Sequence, residues 1–153
     1  MDHGTKAAEL FLSGYNCAQS VFVAFCDVTG MEEELAKRLS SSFGGGLGRL
    51  REVCGAVSGM AMVLGILYGA GTIGDDEKKQ AHYARVQELT KAFQEKTSSY
   101  ICRELLDHPS SSPKPSARTA QYYAQRPCAG FVMEAAQLLD DYIEAHPYET
   151  AHL

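Results

Sequence analysis

The sequence predicts an all-α protein: a helical bundle of about five or six helices packed round a central apolar helix, in a single helical domain over residues 1–153. Two observations carry this. Most of the chain repeats apolar residues at three- and four-residue spacing, the period of helices with one buried face. The exception is VCGAVSGMAMVLGILYGAGTIG, from Val53 to Gly74, which has no charged residue. A helix without a polar face belongs inside a bundle or a membrane. At 153 residues the chain has the length of one domain that buries a core without disulfide staples.

Taken in order, Thr5 to Leu12 reads as a short amphipathic helix, with Ser13, Gly14 and Tyr15 as a joint. Asn16 is a strong N-cap, so a second helix opens with Cys17 at its first position and Ala18, Val21, Phe22 and Phe25 as its stripe. Cys26 lies about half a turn round from Cys17 on that helix and is set aside as a core residue. Glu32 to Phe43 forms the next helix, with Leu35, Leu39 and Phe43 inward, and the triple glycine ends it. The run Gly44–Gly48 lacks the Lys-Ser/Thr of a phosphate loop and the glycine spacing of a dinucleotide fingerprint. It reads as a flexible turn, with Arg49 and Arg51 bringing positive charge near Cys54 and glycine-exposed amides offering an anion site.

The apolar helix runs from Val53 to Tyr68, where glycines stop it. At 1.5 Å per residue it spans roughly 24 Å, short of the ~30 Å hydrocarbon core of a membrane. It is therefore read as buried, with no membrane insertion. Gly55 and Gly59, like Gly65 and Gly69, are four apart and leave one face bare for close packing. Asp75 to Lys96 follows as a long helix with an acidic start and an inner stripe of Tyr83, Val86, Leu89 and Phe93. Ser98 or Ser99 caps a short helix through Cys102, Leu105 and Leu106.

Residues 108–119, HPSSSPKPSART, form a proline- and serine-rich loop, at about 12 residues longer than the usual 4 to 6, and are expected to be mobile or to act as a lid. A short helix is expected from Ala120 to Gln125. Pro127 then opens a terminal helix with Cys128 in its first turn and Phe131, Val132, Ala135, Leu138, Leu139, Tyr142 and Ile143 on its apolar face. Residues 147–153 are expected to fray.

Composition excludes several functions. The net charge is −5 and no basic patch marks a nucleic-acid partner. MDHGTKAAELF has neither the basic start nor the apolar run of a secretory signal, so the expected location is cytoplasmic. Histidines show no HExxH spacing: His82 reads as a residue on a wet face and His108 as a turn residue. Ser58 has no GxSxG elbow around it.

The five cysteines are what remains. Cys17, Cys102 and Cys128 each fall in the first turn of a predicted helix, where exposed amides and the positive end of the helix dipole lower a thiol's pKa. For Cys54 the helix start is less defined, and Arg49 and Arg51 act in the same direction. The four thiols converge only if alternate helices point the same way. Since free cysteine is among the most buried residue types and no pair shows CxxC spacing, core filling stands level with chemistry on pattern alone.

The segments NCAQSVF around Cys17, FGGGLGRLREVCGAVSG around Cys54, ICREL around Cys102 and the PC of Cys128 resemble the C_GCAxxG_C_C family, defined by its cysteine pattern and a CGAxxG motif. The motif stands here as Cys54, Gly55, Ala56, Val57, Ser58 and Gly59, and the resemblance spans nearly the whole chain. It implies a small bacterial or archaeal protein, often encoded near transporters or oxidoreductases, whose signature cysteines Cys17, Cys54, Cys102 and Cys128 have been proposed to serve a redox role. Cys26 lies outside the signature.

Two functions follow. In the first, the four cysteines are catalytic thiols in two pairs, cycling between dithiol and disulfide against a redox partner protein or a small thiol or disulfide, with Cys54 as attacker. In the second, the same four hold one zinc ion or an iron–sulfur cluster, and the protein carries electrons or metal. A metal needs all four sulfurs within about 4 Å of one another, whereas disulfide chemistry needs only pairs with Cα atoms about 5.5 to 6 Å apart. The thiol reading is preferred, because nothing local in sequence preassembles a metal site. A homodimer through the glycine-lined apolar helix is a further expectation.

Overall fold

The structure, a computed structural model, describes residues 2–148. In chain order the helices are α1 (His3–Leu12), α2 (Cys17–Ala24), α3 (Cys26–Thr29), α4 (Glu33–Ser40), a 3-10 turn (Ser41–Phe43), α5 (Gly55–Tyr68), α6 (Asp76–Thr97), α7 (Cys102–Leu105), α8 (Ala120–Gln125) and α9 (Cys128–Ala145). The protein is all-α: among the described residues the one β contact outside the helices is an isolated antiparallel bridge between Val53 and Ile101. Of the expected frayed tail 147–153, residues 149–153 lie outside the described residues, while Tyr148 sets its ring edge-on to Tyr68 at 6.2 Å.

Helix starts are written locally. Asp2 accepts the Thr5 amide at 2.7 Å, Asp75 that of Lys78 at 3.0 Å, and Thr119 that of Tyr122 at 3.1 Å. Asn16 builds a full capping box at α2: its side chain accepts the Gln19 amide at 2.9 Å while Gln19 Oε1 accepts the Asn16 amide at 3.0 Å. Such caps are worth roughly 1 kcal/mol each and fix where the next residue, here Cys17, begins the helix.

The helix enclosed on every side is α2, whose residues from Ser20 to Ala24 are at most 2% exposed. It packs against α1, α4, α5 and α9. Burying side chains such as Phe22 and Val21 contributes about 1.5–3 kcal/mol each. Helix α5 buries Ala56, Val57, Met60, Val63, Leu64 and Leu67 against α2, α9 and α6. Its other side, with Met62 and Ile66 half-buried and Gly65 exposed, faces outward.

Three expectations are corrected. The second helix does not run through Cys26: it stops at Ala24, and after a bend at Phe25 a four-residue helix ends at Gly30, which has φ +76°. Cys26 is accordingly half-buried at the rim rather than in the core. In α4 the inward face is Ala36 and Ser40, both 0% exposed, while Leu35 and Leu39 are 55% and 49% exposed. The reason is close approach: Gln19 Nε2 donates to the Lys37 carbonyl at 3.0 Å, and only small side chains fit between helices that near. In α6, Leu89 and Phe93 are buried as expected but Tyr83 is 57% exposed, because only the C-terminal half of this long helix is covered.

Candidate functional site

Cys17, Cys54, Cys102 and Cys128 all line one cavity of about 290 Å³. Glycines make that convergence possible. A Cβ on Gly55 would stand 3.0 Å from the Phe43 carbonyl oxygen and 3.1 Å from both Ala18 N and Cys17 Cβ, and one on Gly59 would stand 2.8 Å from Ala18 O. These two CGAxxG glycines therefore let α5 lie directly on α2, which sets the starts of both helices side by side. The second expected pair behaves differently, since Gly65 meets nothing within 4 Å. Gly46 has φ +71°, and a Cβ there would meet Cys102 Cβ at 2.7 Å.

Cys54 and Cys102 are joined through the backbone. Cys54 N donates to Tyr100 O at 2.8 Å, Cys102 N to Glu52 O at 2.6 Å and Arg103 N to Arg51 O at 3.2 Å. This pairing of residues 51–54 with 100–103 carries no sequence pattern, being a single bridge between irregular segments. It lays the two cysteines beside each other and brings Arg51 Nη1 to 3.7 Å from Cys102 Sγ. Cys17 and Cys128, the first residues of α2 and α9, also line the cavity, and the interaction between their thiols is the largest influence on how each ionises.

The electrostatics separate these thiols. The hydrogen bond from Cys17 draws Cys128 down to about 7, against the opposing effect of burial, with the Arg126 and Arg118 guanidiniums adding to the pull. Cys17 is correspondingly pushed well above the ordinary thiol value, first by that same hydrogen bond and then by burial. The pair thus gives up one proton readily and holds the other. Cys54 is the N-cap of α5, and the Ala56 and Val57 amides favour its thiolate, but burial outweighs them and pushes it up to about 12. Burial thus works against the expected role of Cys54 as the attacking thiol.

The arginines expected to activate Cys54 are engaged elsewhere. Arg49 Nε donates to Ser112 O at 2.8 Å and its Nη1 to Ser116 Oγ at 3.3 Å, while Arg51 Nε donates to Ser110 O at 2.9 Å. Through these bonds the 108–119 loop is strapped beside the cavity, which Pro113, Pro115 and Ser116 help to line. In the glycine-rich turn the amides from Leu47 to Glu52 all donate to carbonyls between Ser42 and Leu47, while Gly44, Gly45 and Gly46 line the cavity.

Three residues that sequence reasoning passed over complete the wall: Arg118, Tyr122 and Arg126. Arg126 stands two residues before Cys128, as Arg51 stands three before Cys54, so the same rule would have found it. Arg118 had no such signal. Its guanidinium donates to the Phe11 carbonyl at 3.2 Å and the Tyr15 carbonyl at 3.1 Å, and lies 4.7 Å from the Phe11 ring centroid. Contacts across more than a hundred residues of chain leave no local trace.

Among the described residues, no group of three or more His, Cys, Asp or Glu side chains is gathered closely enough to hold a metal ion. Cys26, His82 and His108 do not line the cavity. No described helix is long and apolar enough to cross a membrane.

Fold and site together define a small all-helical protein with four free thiols gathered round one cavity. The chain belongs to the C_GCAxxG_C_C family, described as "Putative redox-active protein (C_GCAxxG_C_C)", whose family model matches residues 15–142. Comparisons with curated proteins and with solved structures give no match.

Proposed function

We propose that the protein is a thiol–disulfide redox protein in which Cys128 attacks and Cys17 resolves. The observation that supports this most is that Cys17 and Cys128, each the first residue of a helix, both stand at the wall of the shared cavity. In the first step the Cys128 thiolate attacks one sulfur of a disulfide, forming a mixed disulfide and releasing a thiolate. Cys17 then loses its proton to the released thiolate and attacks Cys128 Sγ, which expels the second thiolate. The protein gives up two electrons and the disulfide becomes two thiols.

Cys54 and Cys102 form the second dithiol. Attack by Cys102, whose sulfur faces Arg51, on the Cys17–Cys128 disulfide and resolution by Cys54 would return the first pair to its dithiol form and leave a Cys54–Cys102 disulfide. A reducing thiol, free or on a partner protein, closes the cycle. Such a cycle suits the cytoplasm. The 108–119 segment acts as the lid, tied down by Arg49 and Arg51, and residues 1–153 work as one domain. The outward face of α5 round Gly65 is where a second copy would sit in a homodimer.

The test uses protein purified without oxygen. Metal and acid-labile sulfide are assayed and thiols are counted before and after treatment with a disulfide. Metal-free protein that reversibly loses two or four thiols, with Cys128→Ser blocking the first loss, is the expected result. Stoichiometric metal lost on changing any of the four cysteines to Ser would overturn it in favour of a metal or cluster carrier.

A further inference from the structure

The cavity wall holds Arg49, Arg51, Arg118 and Arg126 and no aspartate or glutamate. This is unusual in a chain with 19 acidic and 14 basic residues. Among the described residues none of the four arginines is within ion-pair distance of a carboxylate, although nearby Arg103 pairs with Glu52 at 3.0 Å. Arg51 is only 5% exposed. Buried charge without a counter-ion is costly unless something of opposite sign joins it. The Cys128 thiolate offsets one of four positive charges, and the starts of α2, α5 and α9 add their own partial positive charge. Burial and the neighbouring Arg51 and Arg126 guanidiniums already hold Arg49 below its ordinary value.

We infer that the disulfide reduced at this cavity is a small organic anion, with a carboxylate or sulfonate held by the arginines and its sulfur presented to Cys128. The inference rests on the thiol–disulfide reading above and names its substrate class. Size supports it. A volume of about 290 Å³ lies at the small end of the roughly 300–1,000 Å³ of small-molecule pockets. The rest of the wall suits such a molecule, since Phe11, Leu105, Leu106 and Phe131 offer apolar surface for its carbon and sulfur body. Arg126 is the arginine best placed to meet the charged group. Arg118 spends both terminal nitrogens on carbonyls, and Arg49 and Arg51 hold the loop, whereas Arg126 has no oxygen acceptor among the described residues and lies over Tyr122 at 5.0 Å beside Cys128.

The test is a matched series of disulfides: dithiodiglycolate as dianion, bis(2-hydroxyethyl) disulfide as neutral compound and cystamine as dication. Each rate of Cys17–Cys128 disulfide formation is divided by the same disulfide's rate with 2-mercaptoethanol, which removes leaving-group differences. The expected order is dianion, neutral, dication, with the ends separated by about 10- to 1000-fold at low ionic strength and the gap shrinking in salt. Arg126→Gln should lower the dianion-to-neutral ratio several-fold and Arg126→Lys should restore most of it. Both disulfides meet the same thiolate, so a change in its population cancels in that ratio. Equal corrected rates, or a faster dication, would overturn the anion inference and leave the thiol reading standing. Failure of all three to oxidise the pair would overturn both.

Discussion

Cys128 and Cys54 look alike in their local settings. Each stands at the start of a helix, each is nearly buried at 6% and 4% exposure, and each has an arginine two or three residues before it. One is nevertheless drawn down to about 7 and the other pushed up to about 12. Burial opposes both thiolates, but it is the largest influence at Cys54 and is outweighed at Cys128. What differs is what faces the sulfur. Cys128 receives a thiol hydrogen bond from Cys17 and the charge of Arg126, while the arginines near Cys54 are turned to loop carbonyls and to Cys102. A helix start is thus not enough to make a reactive cysteine: the balance between burial and the donors and cations that face the sulfur decides it.

The largest expected effect breaks the comparison outright. At pH 7 about half of Cys128 is thiolate against about one part in 10⁵ of Cys54, and the greater intrinsic nucleophilicity of the more basic thiolate returns only about two orders of magnitude to Cys54. Cys128→Ser should therefore slow mixed-disulfide formation by about 100-fold or more, while Cys54→Ser leaves that first step intact. Stopped-flow oxidation of the two variants decides, and equal losses would remove the distinction.

Next in size are the glycines that bring the two regions together. Gly46→Ala places a Cβ against Cys102 and forces an L residue to φ +71°, which should cost about 1–3 kcal/mol in urea unfolding. An unchanged midpoint would mean that the Cys102 side is looser than described. A smaller effect sharpens the role of charge. Arg126→Gln should raise the Cys128 titration midpoint by about one unit. Because the thiolate is the reactive form, its rate falls at pH 7 and recovers by pH 9. Smallest of all, Cys26→Ser, at the rim and away from the cavity, should change stability by less than about 0.5 kcal/mol and leave the oxidation rate alone.

Much of this was legible because it is local. The Asn16 cap, the position of Cys128 after Pro127 and the short helix from Ala120 to Gln125 follow from adjacent residues, and the structure has each of them where the sequence places it. The buried face of α4 was not legible, since Leu35 and Leu39 mark an apolar stripe while helix spacing rewards the small Ala36 and Ser40 instead. The ranking of the thiols was hidden for a related reason. It depends on Cys17 meeting Cys128 across more than a hundred residues and on where Arg51 points, and neither is set by neighbours in sequence.

The most direct measurement is a residue-resolved alkylation titration of the reduced protein with iodoacetamide from pH 5 to 10, read by peptide mass spectrometry. Cys128 should react first, with a midpoint near 7 and a rate that rises with pH through it, while Cys54 stays unmodified across the range. A titration in which Cys54 is modified first, or in which both thiols react only above the ordinary thiol range, would contradict the assignment of Cys128 as the attacking thiol.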